Sequence, residues 1–227
     1  MLIARAANRV NLLYMSFRDN RRERDSYHHG NLRETLIEAA LQFISERGPS
    51  GFAFADLARA AGVSPAAPYR HFRDRGALIA EIARRGFETL TADLQSAWND
   101  GRPDPVTAIE NCGHAYLAFA RRDPASYAAM FDTAAPMEDE PELKLAADQA
   151  FAVLRRAAEA ACATHPGPGR PPPLMVALHI WTMTHGTASL FVCRPENARR
   201  SLPIAPEQLL EAGLLIYLQS LGLGAPR

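Results

Sequence analysis

Apolar residues recur at every third or fourth position along most of the chain, and this spacing predicts α-helices. The first stripe belongs to a helix that Asn31 can cap and that Gly48-Pro49 ends; it consists of Leu32, Leu36, Ala39, Ala40, Phe43 and Ile44. A short helix is predicted near Phe54–Ala61, and Asp74 can cap a long one from Arg75 to Trp98. The polar and proline-containing stretch 99–105 then marks a change of segment.

Five more helical segments are predicted after that stretch, near Val106–Arg121, Pro124–Phe131, Glu142–Ala163, Leu174–Val192 and Pro206–Leu221. Two proline-rich stretches, 165–173 and 194–206, are predicted to be loops, because proline removes backbone donors and clashes with the preceding turn. No convincing strand pattern appears. The sequence therefore predicts an all-α fold of about nine helices.

A helix-turn-helix is predicted between the short helix near Phe54–Ala61 and a further short helix that precedes the long one. The turn contains Gly62, and Ser64 with Pro65 can start a further short helix, since serine caps well and proline is tolerated at the first helical position. Leu57, Val63 and Phe72 are expected to lock this pair against the first helix. In such motifs the second helix of the pair enters the DNA major groove.

The side chains of that second helix predict how DNA would be contacted. Ala66, Ala67 and Arg70 are expected to project toward base edges. Donors at its rim, where phosphates would lie, are Tyr69, His71, Arg73 and Arg75. Ser64 and His28 complete the predicted DNA-binding set.

The same residues resemble the TetR-type (TetR/AcrR) bacterial transcriptional repressors. The similarity runs over about 50 residues and is carried by Tyr27–Leu32, Leu36–Ala40, Asp56–Ser64, Tyr69–Phe72 and Arg75–Leu78. It implies a DNA-binding unit over 27–75 and a larger helical ligand-binding and dimerisation domain over 76–227, after a flexible arm over 1–26. Residues 1–14 are interpreted as the product of a start codon assigned too early. One departure is Ala53, where the family usually has Thr or Ser as a helix cap.

The C-terminal half resembles one subgroup of that family, which has a Trp-x-x-x-His-Gly signature, here Trp181, His185 and Gly186. Trp181 and His185 lie four residues apart and share a helix face, either as a pocket wall or as packed core. The predicted effector pocket consists of Tyr116, Phe119, Tyr127, Phe131, Trp181 and His185. The predicted dimer interface consists of Ala177, Thr184, Ala188, Leu210, Leu214 and Tyr217.

The composition limits the class of protein and indicates no additional binding or catalytic site. The net charge is +0, but residues 1–75 carry an excess of arginine over acidic residues. The three cysteines are widely spaced, which favours free thiols in a reducing compartment, and no apolar run reaches the ~20 residues that span a bilayer. Glu110 and His114 share a helix face but lack a third ligand, so neither a metal nor a cofactor is expected, and no enzyme motif appears.

These observations predict a cytoplasmic homodimer that represses transcription from a near-palindromic operator and is released by a small apolar or aromatic effector. The alternative is an all-helical ligand-binding or scaffold protein whose helix-turn-helix is purely structural. The two differ in one measurable property, because only the regulator would have an operator affinity that falls as salt rises.

Overall fold

A computed structural model describes residues 32–132, 139–164, 171–193 and 203–223 of the chain. Within these ranges the secondary structure is helical, with no strand. The α-helices are α1 (Leu32–Arg47), α2 (Phe54–Ala60), α3 (Arg75–Trp98), α4 (Pro105–Arg122), α5 (Pro124–Phe131), α6 (Pro141–Thr164), α7 (Pro173–Thr187) and α8 (Pro206–Ser220). The all-α prediction is confirmed. The predicted arm and His28 lie outside the described residues.

Helix ends follow the capping residues that the sequence supplies. The Asp74 carboxylate accepts a hydrogen bond from the Ala77 N–H (2.8 Å) and starts α3 at the predicted residue. Asp104 starts α4 in the same way, through the N–H groups of Val106 and Thr107. At the end of α1, Gly48 takes a φ of +75°, a left-handed conformation that glycine adopts at little cost.

The segment after the turn of the helix-turn-helix departs from the prediction. In place of an α-helix beginning at Ser64-Pro65, it forms turns and one short 3₁₀ helix, Pro68–Arg70. The cause is Pro68, which has no N–H to donate to the Ser64 carbonyl four residues earlier. That carbonyl accepts instead from the Ala67 N–H at 2.9 Å, which closes a four-residue turn.

α3 is the central helix of the structure. It packs against α4, α5 and α6, and α1 packs against its first half and against α5. Its buried face carries Leu78, Ile82, Phe87, Leu90 and Leu94, which are all at most 5% exposed. α3 therefore starts beside the helix-turn-helix and continues into the core of the C-terminal bundle.

The sequence predicted one helix as far as Val192, but the regular α-helix α7 ends at Thr187. It changes to a π-helical segment over Ala188–Val192, a wider turn that often occurs at functional sites. Ser189 lies in this segment. None of the helices formed by the described residues is long and apolar enough to span a membrane.

Candidate DNA-binding surface and ligand cavity

The segment after the turn of the helix-turn-helix, residues 64–72, is called the recognition segment, and most of its predicted contact side chains are exposed. Ser64, Ala66, Arg70 and His71 are exposed and Ala67 is half-buried. Tyr69 is 60% exposed, while its ring packs edge-on against buried Phe54 with the centroids 4.9 Å apart. Six of the predicted contact residues therefore lie on one short stretch, with at least part of each side chain open to solvent.

Buried residues on both sides of the turn hold that stretch in place. Leu57 of α2 is fully buried, and Pro68 and Phe72 are buried at the two ends of the 3₁₀ segment. Gly62 takes a φ of +68°, which lets the Val63 N–H bond the Ala58 carbonyl at 2.9 Å. The predicted locking of the two helical segments by apolar residues is confirmed for Leu57 and Phe72, and Val63 is half-buried.

Ala53 lacks the hydroxyl that would accept from the N–H three residues later, and the Asp56 N–H bonds the Ala53 carbonyl instead at 3.0 Å. The Asp56 carboxylate supplies the reciprocal half of a capping box, because it accepts a hydrogen bond from the Ala53 backbone N–H at 2.9 Å. Asp56 also forms an ion pair with Arg59 (3.5 Å). The sequence departure at Ala53 therefore leaves α2 intact.

Two arginines predicted at the phosphate rim already have partners within the chain. Arg73 pairs with Asp74 (2.9 Å) and with Glu140 at the start of α6 (3.5 Å). The Arg75 guanidinium lies over the Phe52 ring, 5.8 Å from its centroid, and donates weakly to the Phe52 carbonyl (3.4 Å). Arg70 is thus the exposed cation of the recognition segment itself.

A cavity of about 360 Å³ lies in the C-terminal bundle between α3, α4, α5, α6 and α7. Its lining is almost wholly apolar and rich in aromatic rings: Phe87, Leu90, Leu94, Tyr116, Phe131, Ala147, Asp148, Ala150, Phe151, Leu154, Leu178 and Trp181. The charged lining residue is Asp148, whose carboxylate pairs with Lys144 at 2.6 Å on the same helix. Size and lining match those of small-molecule sites.

A cluster of polar side chains stands directly behind this lining. The Nδ1 atom of His185 lies 2.9 Å from the Tyr116 hydroxyl and 3.0 Å from that of Tyr127. Tyr127 also contacts the Ser189 hydroxyl at 2.9 Å. Because an imidazole nitrogen has one hydrogen-bonding position, the two tyrosine hydroxyls compete for Nδ1, while Nε2 lies 3.3 Å from the Ser189 hydroxyl.

Burial controls the charge state of this cluster. Desolvation raises the pKa of the Tyr127 hydroxyl to about 12 and that of Tyr116 well above its usual value. Desolvation lowers the pKa of His185, against a smaller opposite effect of the Asp132 carboxylate. All three groups are therefore neutral near pH 7, and the cluster places no charge beside the cavity.

The six residues predicted to form the effector pocket divide into three groups. Tyr116, Phe131 and Trp181 line the cavity. Tyr127 and His185 lie behind the wall, with the His185 ring 4.6 Å from that of Phe131 and 5.5 Å from that of Trp181. Phe119 is fully buried but does not line the cavity; the Arg122 guanidinium lies 5.8 Å from its ring centroid.

The wall contributed by α3 and α6 was missed by the sequence prediction. Phe87, Leu90 and Leu94 on α3, and Phe151 and Leu154 on α6, recur at helical spacing. Such a stripe indicates burial, and it does not distinguish residues around a cavity from residues in a filled core.

Five of the six residues predicted for the dimer interface are buried within the single chain, at 0–2% exposure: Ala177, Thr184, Ala188, Leu210 and Leu214. They pack on the chain's own helices and have no surface to offer a partner. Tyr217 is half-buried, and its hydroxyl lies 3.0 Å from Nδ1 of His179.

Other faces of the same two helices are apolar and exposed. Leu174, Met175 and Leu178 of α7 are 51%, 45% and 36% exposed, and Ile216 of α8 is 69% exposed. At Gly186 an added Cβ would meet nothing within 4 Å, so the chain itself does not explain the small residue there. These positions form the apolar face of α7 and α8.

The residues considered for metal binding or thiol reactivity form no further site among the described residues. Among the described residues, no group of three or more His, Cys, Asp or Glu could hold a metal ion. His114 faces Glu211 of α8, with Nε2 and Oε1 2.8 Å apart. Cys112 and Cys193 are free thiols whose pKa burial raises to about 12, which makes them unreactive at neutral pH.

Comparison with known proteins identifies relatives among bacterial regulators. The chain is 31% identical over 80 residues to the HTH-type transcriptional repressor DhaR of Mycobacterium sp. (strain GP1), a match covering 35% of this chain and 40% of DhaR. The matches with curated relatives span about half of the relatives' length or less.

Solved structures are similar over nearly their whole length. A protein with unknown function from Rhodococcus sp. RHA1 is 29% identical, with a TM-score of 0.69 over 86% of this chain and 97% of that one. AibR, in a complex with isovaleryl coenzyme A and operator DNA, shares the fold at 18% identity and a TM-score of 0.61, over 81% of this chain and 96% of AibR.

Two family models match consecutive parts of the chain. Residues 36–82 match the bacterial regulatory proteins of the tetR family, and residues 109–214 match the tetracyclin repressor-like C-terminal domain. The first match contains the recognition segment, and the second contains most of the cavity wall. Because the two matches together span more than half of its length, the chain belongs to the TetR family of bacterial regulatory proteins.

Proposed function

We propose that this DNA-binding regulator acts as a homodimeric repressor, which a small molecule releases from a near-palindromic operator. The observation that carries the proposal is the combination, in one chain, of an exposed recognition segment and an apolar cavity connected by α3. In this account neither part performs catalysis, and no cofactor takes part. The subgroup assignment from Trp181, His185 and Gly186 stays a prediction.

The DNA contacts are proposed to come from the recognition segment. Arg70 would read a base edge, since a bidentate arginine–guanine pair is the commonest specific contact in the major groove. The methyl groups of Ala66 and Ala67 can contact thymine methyls, and Ser64, Tyr69 and His71 can donate to phosphates. Arg75 would reach a phosphate only by leaving the Phe52 ring. His28 is a further proposed contact.

The homodimer is proposed to form through the apolar face of α7 and α8 instead of the buried residues first predicted. Large exposed apolar side chains cluster on this face, and the open space at Gly186 would allow a second helix to approach closely. A two-fold dimer would place two recognition segments on half-sites ~34–36 Å apart, which is one turn of DNA.

Release by an effector is proposed to involve the cavity. α3 lines it through Phe87, Leu90 and Leu94, and the same helix begins immediately after the recognition segment. A ligand that binds better to one orientation of α3 would shift the dimer toward that state. AibR, which was solved with both a ligand and operator DNA, is a structural neighbour consistent with this arrangement.

Selection of bound DNA from a random pool tests the proposal. The protein should enrich a sequence with two-fold symmetry, and binding to it should weaken steeply as salt rises, because each neutralised phosphate releases a counterion. The alternative, a ligand-binding or scaffold protein with a purely structural helix-turn-helix, predicts no enriched sequence and no salt-dependent DNA affinity.

A further inference from the structure

We propose that the cavity is selective for uncharged one- or two-ring aromatic molecules and rejects both carboxylates and ammonium ions of the same size. This inference rests on the proposed function, since it names the class of effector that would release the operator.

The size of the ligand follows from the volume of the cavity. An engineered apolar cavity of about 150 Å³ binds benzene. The present cavity, about 360 Å³, is somewhat more than twice as large. Its walls carry the rings of Phe87, Phe131, Phe151 and Trp181, which favour offset or edge-on contact with another aromatic ring.

Rejection of anions follows from the charges that the described residues bring to the cavity. Asp148 is the charged group of the lining, and it already pairs with Lys144, so this pair offers no free cation to a ligand carboxylate. The nearest histidine, His185, is kept neutral by burial, with Nδ1 occupied by the two tyrosine hydroxyls. A carboxylate would thus lose its hydration without gaining a cationic partner, which is costly.

Rejection of cations follows from the position of Asp148. An aromatic cavity with one acid resembles a cation site, but this carboxylate pairs with Lys144 at 2.6 Å and its side chain is 63% exposed. Its charge is therefore compensated and solvated at the rim. An ammonium ion deep in the cavity would rely on ring faces alone, and cation–π attraction of ~2 kcal/mol does not replace full hydration.

Besides Asp148, the polar lining groups include the Tyr116 hydroxyl, which is engaged with His185, and the Trp181 indole N–H, which bonds Tyr116. A hydroxyl on the ligand can donate to the Tyr116 oxygen, because that oxygen has lone pairs that accept hydrogen bonds. A purely apolar ligand leaves the existing hydrogen bonds unchanged. The cavity therefore accepts weakly polar and apolar neutral molecules alike.

Three probes that share a 4-butylphenyl group and differ in charge test the inference: 4-butylbenzyl alcohol, 4-butylbenzoate and 4-butylbenzylammonium. Their affinities for the full-length protein are measured by calorimetry at neutral pH, together with their effect on binding of the selected operator. The alcohol should bind at least about tenfold more tightly than either ion, a difference of ~1.4 kcal/mol.

Two variants locate the binding and its selectivity. Ala147→Phe fills the cavity and should abolish binding of the alcohol, with retained operator binding showing that the variant is folded. Asp148→Arg reverses the charge at the rim of the cavity and should raise the affinity for benzoate several-fold relative to the affinity for the alcohol.

The outcomes separate this inference from the proposed function. Equal or tighter binding of either ion, or no binding of the alcohol, overturns the inference. Binding of the alcohol that leaves operator affinity unchanged supports the ligand class but contradicts release by an effector. Selective binding of the alcohol with loss of operator affinity supports both.

Discussion

The Tyr116 hydroxyl lies 2.9 Å from Nδ1 of His185 and joins α4 to α7 directly behind the wall of the cavity. Tyr127 reaches the same nitrogen from α5 and continues the contact to Ser189 in the π-helical segment. The polar cluster therefore ties together three helices around the proposed effector site.

Removing the Tyr127 hydroxyl should destabilise the protein. Tyr127→Phe removes the contacts of this hydroxyl with Ser189 (2.9 Å) and His185 (3.0 Å), and a typical hydrogen bond contributes about 0.5–1.5 kcal/mol. Urea unfolding would measure the change. Tyr69→Phe is the matched control, because Tyr69 is 60% exposed and a surface hydroxyl should contribute less than ~0.5 kcal/mol. Equal effects in the two variants would contradict a role for the cluster.

Stability should fall as the pH drops below the ordinary pKa of histidine, ~6.5. The pKa of His185 is lowered in the folded chain, so the unfolded chain binds a proton first as the solution is acidified, and unfolding becomes easier. This contribution is complete above pH ~6.5 and is lost below it. The measurement is the free energy of unfolding at pH 7.5 and pH 5.5 for the wild type and for His185→Gln. The variant should show a smaller decrease, and an unchanged decrease would assign the pH dependence to other groups.

Glu81 should contribute to stability in acid at lower pH. It bonds Arg84 and Arg85 and pairs with Arg33 of α1, and these arginines outweigh burial and lower its pKa to about 2. Since the folded pKa lies below the usual 4.5, the contribution is present above pH ~4.5 and is lost as the pH falls toward 2. Glu81→Gln should remove this acid-dependent part. Glu159→Gln, which changes an exposed position of α6, is the control and should leave the acid dependence of stability unchanged.

Truncating Arg70 should remove discrimination between operators. Arg70→Ala is expected to lose about 1–3 kcal/mol of preference for the selected operator over a variant altered at one base pair, as measured by competition binding. Arg155→Ala, an exposed arginine on α6, should leave the preference intact. If Arg70→Ala weakens binding to all sequences equally, the arginine contacts phosphate and base reading lies elsewhere.

A charge on the apolar face of α7 and α8 should produce monomers. Ile216 is 69% exposed, and Ile216→Asp would place an unpaired carboxylate in the proposed interface. Sedimentation velocity should then show a single chain. Leu145→Asp changes a comparably exposed residue of α6 (59%) and should leave the dimer intact. A dimer that survives Ile216→Asp would place the interface on another surface.

Prediction from the sequence was accurate where local signals decide the outcome. The ends of α3 follow from Asp74 and from the polar stretch after Trp98, and α5 was predicted at its observed bounds, Pro124–Phe131. The recognition segment was misjudged because Ser64 and Pro65 were given the weight of a helix start, whereas the hydrogen bond that Pro68 removes keeps an α-helix from forming there.

Which face a helical residue presents to a neighbour was less predictable. Leu210 and Leu214 are as apolar as Ile216, yet only Ile216 is exposed, since the packing of α8 on α4 and α7 decides which stripe is covered. The cavity was also only half predicted. Its aromatic wall on α4, α5 and α7 was recognised from Tyr116, Phe131 and Trp181, but an apolar stripe such as Leu90 and Leu94 does not show whether the space beside it is filled.

The spacing of the two operator half-sites provides the most direct test of the account. The affinity of the protein for the selected operator would be compared with its affinity for the same operator carrying ~5 extra base pairs, half a turn of DNA, between the half-sites. A rigid two-fold dimer cannot place both recognition segments on such a site, so we expect affinity to fall to the non-specific level. Unchanged affinity on the lengthened operator would contradict a dimer that reads both half-sites at once.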